Sequence, residues 1–124
     1  MNTALWIIAG VLSAAFAASG LMKLTKDKAS LVAGGQGWAE DVPGGLAKTI
    51  GALEVLAAIG LIVPALVDTA TVLVPLAASG LVLLMLGAIV LHGRRRELMN
   101  IAVNVVLAGL ALFVAVQRFG DYAL

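Results

Sequence analysis

The sequence predicts an all-α protein in which four membrane-spanning helices form one bundle. Hydrophobic residues make up 62% of the 124 positions and charged residues only 12%, whereas a soluble domain is roughly 45–50% apolar and about 25% charged. The apolar residues fall into four segments, each close to the ~20 residues that cross a bilayer. A long polar connection separates the first two segments, and short connections separate the others. We expect one integral membrane domain with helices at about 4–23, 46–66, 71–92 and 98–117, and with consecutive helices as antiparallel neighbours from the second onward.

Composition also limits the functions to consider. The net charge is +1, which offers no basic surface for nucleic acid. There is no cysteine, so disulfides and thiolate chemistry are excluded. With His92 as the single histidine, neither a protein-built metal site nor a cofactor is predicted.

The first helix covers the continuous apolar run from Leu5 to Met22. A cleaved signal peptide is the alternative, because Ala15-Phe16-Ala17 resembles a small-residue cleavage site. Signal peptides carry basic residues before the apolar run, but here the lysines follow it, beginning at Lys23. We therefore expect a retained first helix.

The connection from Leu24 to Gly45 is the longest polar stretch. Ala29 to Ala33 can form a short interfacial helix, and Trp38 suits the headgroup zone. The run Gly34-Gly35-Gln36-Gly37 and Pro43 predict turns. This segment is either a surface loop or a lid folded back over the bundle.

Prolines and turn residues set the limits of the later helices. Pro64 lies near the end of the second helix, and Pro75 lies in the first turns of the third, where proline is tolerated. Asp68 and Thr69 predict a tight turn that caps the third helix. Gly93 is expected as the residue just beyond the end of that helix.

The distribution of basic residues predicts the orientation. All but one of those that flank the helices lie on one side of the four-pass topology, and Arg118 lies on the other. Basic residues concentrate on the cytoplasmic side of membrane proteins. Both termini are therefore expected outside, with the Arg94–Arg96 loop in the cytoplasm. The residues of the cytoplasmic set are Lys23, Lys26, Lys28, Lys48, Arg94, Arg95 and Arg96.

Four polar residues are predicted to meet at one depth of the bundle. Glu54 lies about 9 Å inside the bilayer from Lys48, and Asn104 lies about 9 Å in from Leu98. Lys23 and His92 end their helices on the same side. An acid at a helix centre costs roughly 2.5–3.5 kcal/mol on insertion, so Glu54 should face protein. We predict that Lys23, Glu54, His92 and Asn104 form a polar cluster in the inner leaflet.

Each of these residues also has a purely structural interpretation. Lys23 can extend to the lipid phosphates, and His92 can cap its helix. Asn104 can hydrogen-bond between helices. Glu54 can form an ion pair with Lys23 that holds the first two helices in register.

Several of these residues resemble the DoxX-like family of small bacterial membrane proteins. The resemblance rests on Ser19-Gly20-Leu21-Met22-Lys23-Leu24 and on the run from Ile50 to Leu61, which contains Gly51 and Glu54. Pro64, His92 with the basic run after it, and Asn104 also fit. The resemblance implies a four-helix bundle in the bacterial plasma membrane. The family takes its name from a subunit associated with a quinone-linked oxidase, and some relatives are linked to thiosulfate or oxidative-stress chemistry. This chain has no thiol and no haem-ligand pair.

Three functions remain open at this point. In the first, the protein is a binding or accessory subunit without catalysis of its own. Its polar pocket holds a lipophilic molecule, such as a quinone, or docks a redox partner. Alternatively, it is a proton-coupled exporter that uses Glu54 and dimerises to form a pathway, or it is a purely structural subunit. The distance between Lys23 and Glu54 discriminates among them: a closed ion pair favours the first or the third, and an open carboxylate favours the exporter.

Overall fold

The computed structural model describes residues 2–34, 37, 39 and 44–124, and it is all-α across that part of the chain. Five helices follow one another: α1 (Asn2–Thr25), α2 (Lys28–Ala33), α3 (Gly44–Leu66), α4 (Leu73–Arg94) and α5 (Leu98–Phe119). All except α2 are long and apolar enough to cross a membrane. The predicted fold class, a four-helix membrane bundle, is confirmed.

The four long helices pack as two closely associated pairs. α1 packs mainly on α3 and α4 mainly on α5, α3 also contacts α4, and the contact between α1 and α5 is the least extensive of the four. The expected neighbours, α3 with α4 and α4 with α5, are therefore adjacent, because their short connections do not allow a crossing of the bundle. We refer to the end that carries Lys23, Lys48 and Arg94 as the Lys23 end, and to the opposite end as the Arg118 end.

One apolar core joins the four long helices. It consists of side chains that are at most 7% exposed. Many large apolar side chains point outward instead, as expected where the solvent is lipid; Leu56 and Leu83 are 65% and 71% exposed. The core residues are Leu5, Leu12, Phe16, Ala58, Leu61, Val74, Ala78, Leu81, Met85, Ala111, Val114 and Ala115.

The short helix α2 packs against the Lys23 end. Its N-cap is Asp27, whose carboxylate accepts a 2.7 Å hydrogen bond from the backbone N–H of Ser30. Leu31 and Ala39 are buried in a second cluster with Ala47 of α3, which also packs against Leu91 of α4. The described part of this connection therefore folds onto the bundle. Trp38, Glu40, Asp41, Pro43 and the pair Gly35-Gln36 lie outside the described residues.

The predicted cap of the third long helix is wrong. α4 begins at Leu73, and its N-cap residue, Val72, makes no side-chain capping bond. Thr69 lies too far back along the chain, and its hydroxyl donates to the carbonyl of Val67 at 3.2 Å. Asp68 takes a left-handed conformation with φ 49°, so it forms the turn but caps nothing.

The predicted end of that helix is also wrong. Gly93 lies within α4, which continues to Arg94. The left-handed residue of the next turn is Arg96, with φ 56°. The reason is a pair of contacts across the turn, since the backbone N–H of Glu97 donates to the carbonyl of His92 at 3.0 Å and their side chains also meet.

At the Arg118 end, a buried arginine ties both chain ends to the bundle. Arg118 of α5 donates to the side-chain oxygen of Asn2 at 2.7 Å and to the carbonyl of Tyr122 at 2.9 Å. Sequence reasoning used Arg118 only as a charge flanking the membrane. In the structure it has a packing role, because it joins the start of α1 to the end of α5.

Candidate functional site

Lys23 and Glu54 form a buried ion pair between α1 and α3. The Lys23 Nζ and Glu54 Oε1 atoms are 2.7 Å apart. Lys23 is 9% exposed and Glu54 only 2%, so neither charge is solvated to any useful extent. Each therefore depends on the other, since an isolated buried charge is costly. Lys23 also donates to the hydroxyl of Ser19 at 2.6 Å, one helical turn back on α1.

Two glycines make this contact between helices sterically accessible. Gly20 and Gly51 lie one turn before Lys23 and Glu54 on their respective helices. A Cβ atom at Gly20 would lie 2.6 Å from the carbonyl oxygen of Gly51. Glycine allows the two backbones to approach at this level, and the close approach brings the ammonium and the carboxylate within bonding distance.

A cavity of about 590 Å³ lies beside this ion pair. All four long helices contribute to its lining. Two of the core side chains, Phe16 and Met85, also line it, so the cavity begins where the close-packed core ends. The lining residues are Ala15, Phe16, Ser19 and Lys23 of α1; Leu46, Ile50 and Glu54 of α3; Leu83, Leu84, Met85, Gly87, Ala88, Val90, Leu91, His92 and Arg94 of α4; and Asn100, Val103, Asn104 and Leu107 of α5.

His92 lines the cavity but pairs away from Glu54. Its Nδ1 atom lies 2.8 Å from Oε1 of Glu97. The same carboxylate oxygen lies 3.5 Å from Nε of Arg95. His92 is 9% exposed. The α4–α5 turn thus holds the imidazole in place through a carboxylate, as commonly seen where a histidine ring must keep one orientation.

Asn104 brings an amide to the cavity from α5. Its Nδ2 atom is buried and has no hydrogen-bond partner among the described residues. Buried amide nitrogens in proteins are usually satisfied, so an unmatched donor in a cavity wall is suited to a ligand acceptor.

All four residues singled out from the sequence line this one cavity. The structure joins Lys23 directly to Glu54. In the described part of the chain, no hydrogen bond or ion pair links His92 or Asn104 to that pair. A functional role for these residues remains a prediction.

Sequence reasoning missed two partners in the site. Ser19 was named only as part of the run that carries the family resemblance, although its i, i+4 spacing to Lys23 places the two on one helix face. Glu97, which directly follows the basic run Arg94–Arg96, was not singled out. Its spacing from His92 carries no helical signal, because the chain turns between them, so only the turn geometry reveals the contact.

Comparison with known proteins extends this picture. The family model described as the DoxX-like family matches residues 7–114. Searches of curated proteins and of solved structures gave no significant match. The match includes all of α3 and α4 and most of α1 and α5. Lys23, Glu54, His92 and Asn104 all lie within it. The chain belongs to the DoxX-like family.

Proposed function

We propose that the protein is a binding or accessory membrane protein that holds a small lipophilic molecule of the quinone class in the cavity at the Lys23 end. The cavity itself carries this proposal. Its volume of about 590 Å³ falls within the roughly 300–1,000 Å³ of small-molecule sites. Its wall combines apolar side chains with a few polar groups, as such sites do.

The polar groups suit a ring that carries oxygen substituents, in its quinone or its quinol form. Asn104 offers a buried N–H donor that no described residue uses, and His92 offers an imidazole held by Glu97. The surrounding side chains, such as Leu84, Ala88 and Leu107, match the apolar body of the ligand. The quinone assignment also draws on analogy with the quinone-linked oxidase from which the family takes its name.

The Lys23–Glu54 contact argues against the proton-coupled exporter. A carboxylate that lies 2.7 Å from an ammonium is already neutralised, so it has little attraction left for a cationic substrate. The cavity argues against a purely structural subunit, because membrane helices associate through close packing and an unfilled space weakens it.

The proposal places the ligand in the inner leaflet of the bacterial plasma membrane, as the distribution of basic residues predicts. In this proposal, catalysis belongs to a partner, such as a redox protein that exchanges the ligand with the DoxX-like protein. A second copy of the chain is not needed to complete the cavity, since four helices of one chain line it.

Mass spectrometry of the purified protein tests the proposal. Extraction in a mild detergent should release a lipophilic molecule in about stoichiometric amount. In addition, a decyl-chain benzoquinone should raise the thermal unfolding midpoint of protein freed of that molecule, because a ligand that binds only the folded state stabilises it.

A matched pair of variants locates the binding. Ala15 and Ala18 are both exposed on α1, but only Ala15 lines the cavity. Ala15→Phe should fill the cavity and abolish both the retained molecule and the quinone-induced shift, and Ala18→Phe should preserve both. Absence of any retained lipophile together with absence of a shift in the wild type would overturn the proposal.

A further inference from the structure

The contact between His92 and Glu97 fixes what the imidazole offers to the cavity. A carboxylate only accepts hydrogen bonds, so at 2.8 Å from Glu97 Oε1 the Nδ1 atom must carry the proton. In a neutral imidazole the other nitrogen is then an acceptor. Whenever the ring is neutral, the Nε2 atom of His92 therefore presents a lone pair.

That lone pair is available on the cavity side. His92 lines the cavity, whereas Glu97 does not, so the ring places its paired nitrogen toward the turn. Among the described residues, none hydrogen-bonds Nε2 of His92. A ligand with an N–H or O–H group would supply a donor for this acceptor.

We propose that the site selects lipophilic molecules whose polar end carries a hydroxyl group, the phenol class, which includes the reduced, quinol form of a quinone. The hydroxyl donates to Nε2 of His92. A second oxygen, where the ligand has one, accepts from Nδ2 of Asn104. This inference rests on the proposed function, and it names the form of the ligand that the cavity prefers.

A ligand whose polar end is a carbonyl or an ether oxygen fits beside His92 less well. A carbonyl or an ether oxygen has lone pairs but no proton, so beside Nε2 it would place two acceptors against each other. Asn104 alone cannot make this distinction, because its amide donor accepts either oxygen. The discrimination therefore lies with His92, and Glu97 acts as the positioning residue that keeps the proton on Nδ1.

Two probes that differ in a single group test the inference. We would measure binding of 4-octylphenol and of its methyl ether to the purified full-length protein in one detergent. The measurement is made at pH 8, where free imidazole is neutral and phenol is protonated. The phenol should bind roughly five- to tenfold more tightly, the effect of about one neutral hydrogen bond.

Two variants then test whether His92 and Glu97 produce the preference for the phenol. His92→Phe keeps a ring but removes the acceptor, so the affinity ratio of the two probes should fall to about one. Glu97→Gln leaves His92 in place but no longer fixes its tautomer, because a glutamine side chain both donates and accepts. It should lower the ratio even if His92→Phe fails to fold.

The possible outcomes separate this inference from the proposed function. Equal binding of the two probes to the wild type would overturn the inference and leave the lipophilic cavity intact. A ratio unchanged in His92→Phe or, where that variant does not fold, in Glu97→Gln would also overturn it. If neither probe binds, the inference falls, and the retained lipophile and the quinone-induced shift decide separately on the proposed function.

Discussion

Gly51 lies so close to Gly20 that a Cβ atom added to it would be 2.8 Å from the carbonyl oxygen of Gly20. The same added atom would be 2.8 Å from the Cβ of Lys23. The approach is reciprocal, since Gly20 has equally little space beside Gly51. The interface between α1 and α3 is thus closely packed one turn before the charged pair, and its spacing there decides whether Lys23 reaches Glu54.

Adding a methyl group at either glycine should therefore destabilise the bundle. Gly20→Ala and Gly51→Ala should each cost about 1–3 kcal/mol, the usual effect of overpacking, because the clashing atoms include backbone that cannot rotate away. The thermal unfolding midpoint in detergent measures the effect. Gly10→Ala is the control, since no atom lies within 4 Å of its added Cβ; equal midpoints for all three variants would contradict the prediction.

The ion pair predicts strong coupling between its two members. Glu54→Gln leaves an ammonium beside a weak dipole, and breaking a buried pair in this way typically costs about 3–5 kcal/mol. The cost is smaller if Lys23 extends to water. Lys23→Met should cost a similar amount, because it leaves the carboxylate unpaired.

The double variant Lys23→Met with Glu54→Gln should recover much of that loss, since neither charge then remains unpaired. Unfolding of the wild type, the two single variants and the double variant gives the coupling free energy directly. Strictly additive losses would show that the 2.7 Å contact contributes nothing, and would revive the exporter hypothesis.

Asp27 should stabilise α2 in a pH-dependent manner. The hydrogen bond from the backbone N–H of Ser30 holds the pKa of the Asp27 carboxyl below its usual value, with smaller contributions from the Ser30 side chain and from the charge of Lys48. Because the folded pKa is the lower one, this stabilisation is present above the ordinary carboxyl pKa of about 3.9 and is lost as the pH falls through the folded value.

Amide hydrogen exchange at Leu31 is the measurement for this cap. Asp27→Ala should accelerate exchange at neutral pH, because the first turn of α2 loses its cap. Asp121→Ala removes an exposed carboxylate elsewhere and should change nothing at Leu31. If exchange in Asp27→Ala equals that of the wild type, the cap does not hold the helix.

The orientation of the bundle is tested by reporter fusions. A reporter fused after Gly93 should be cytoplasmic, and one fused after Leu124 should be external, because the basic residues concentrate at the Lys23 end. Finding the carboxyl terminus inside the cell would reverse the orientation. The cavity would then belong to the outer leaflet.

Hydropathy alone predicted the four-helix bundle, because each apolar segment is long enough to span a bilayer. The positions of Lys23, Glu54, His92 and Asn104 along their helices also predicted one common depth in the bilayer. The structure places all four in the lining of one cavity. Depth does not determine rotation about a helix axis. It also does not determine the geometry of the turn that contains Glu97, so the partner of His92 was not foreseeable.

Residue preferences at turns and helix ends predicted the structure less reliably than hydropathy did. The expectation at Gly93 relied on the preference of glycine for left-handed backbone, but the structure places that conformation at Arg96. A contact between His92 and Glu97 outweighed the local preference. Tertiary contacts of this kind leave no periodic signal in the sequence.

The pairing of Lys23 with Glu54 also constrains how the chain enters the bilayer during synthesis. α1 emerges first, and its terminal lysine can wait at the headgroups because a long side chain reaches them. α3 emerges next with a carboxylate in its interior, which alone would disfavour insertion by roughly 2.5–3.5 kcal/mol. Lys23 is thus already at the membrane when Glu54 is synthesised. We therefore expect that deleting α1 lowers the efficiency with which α3 inserts into the membrane.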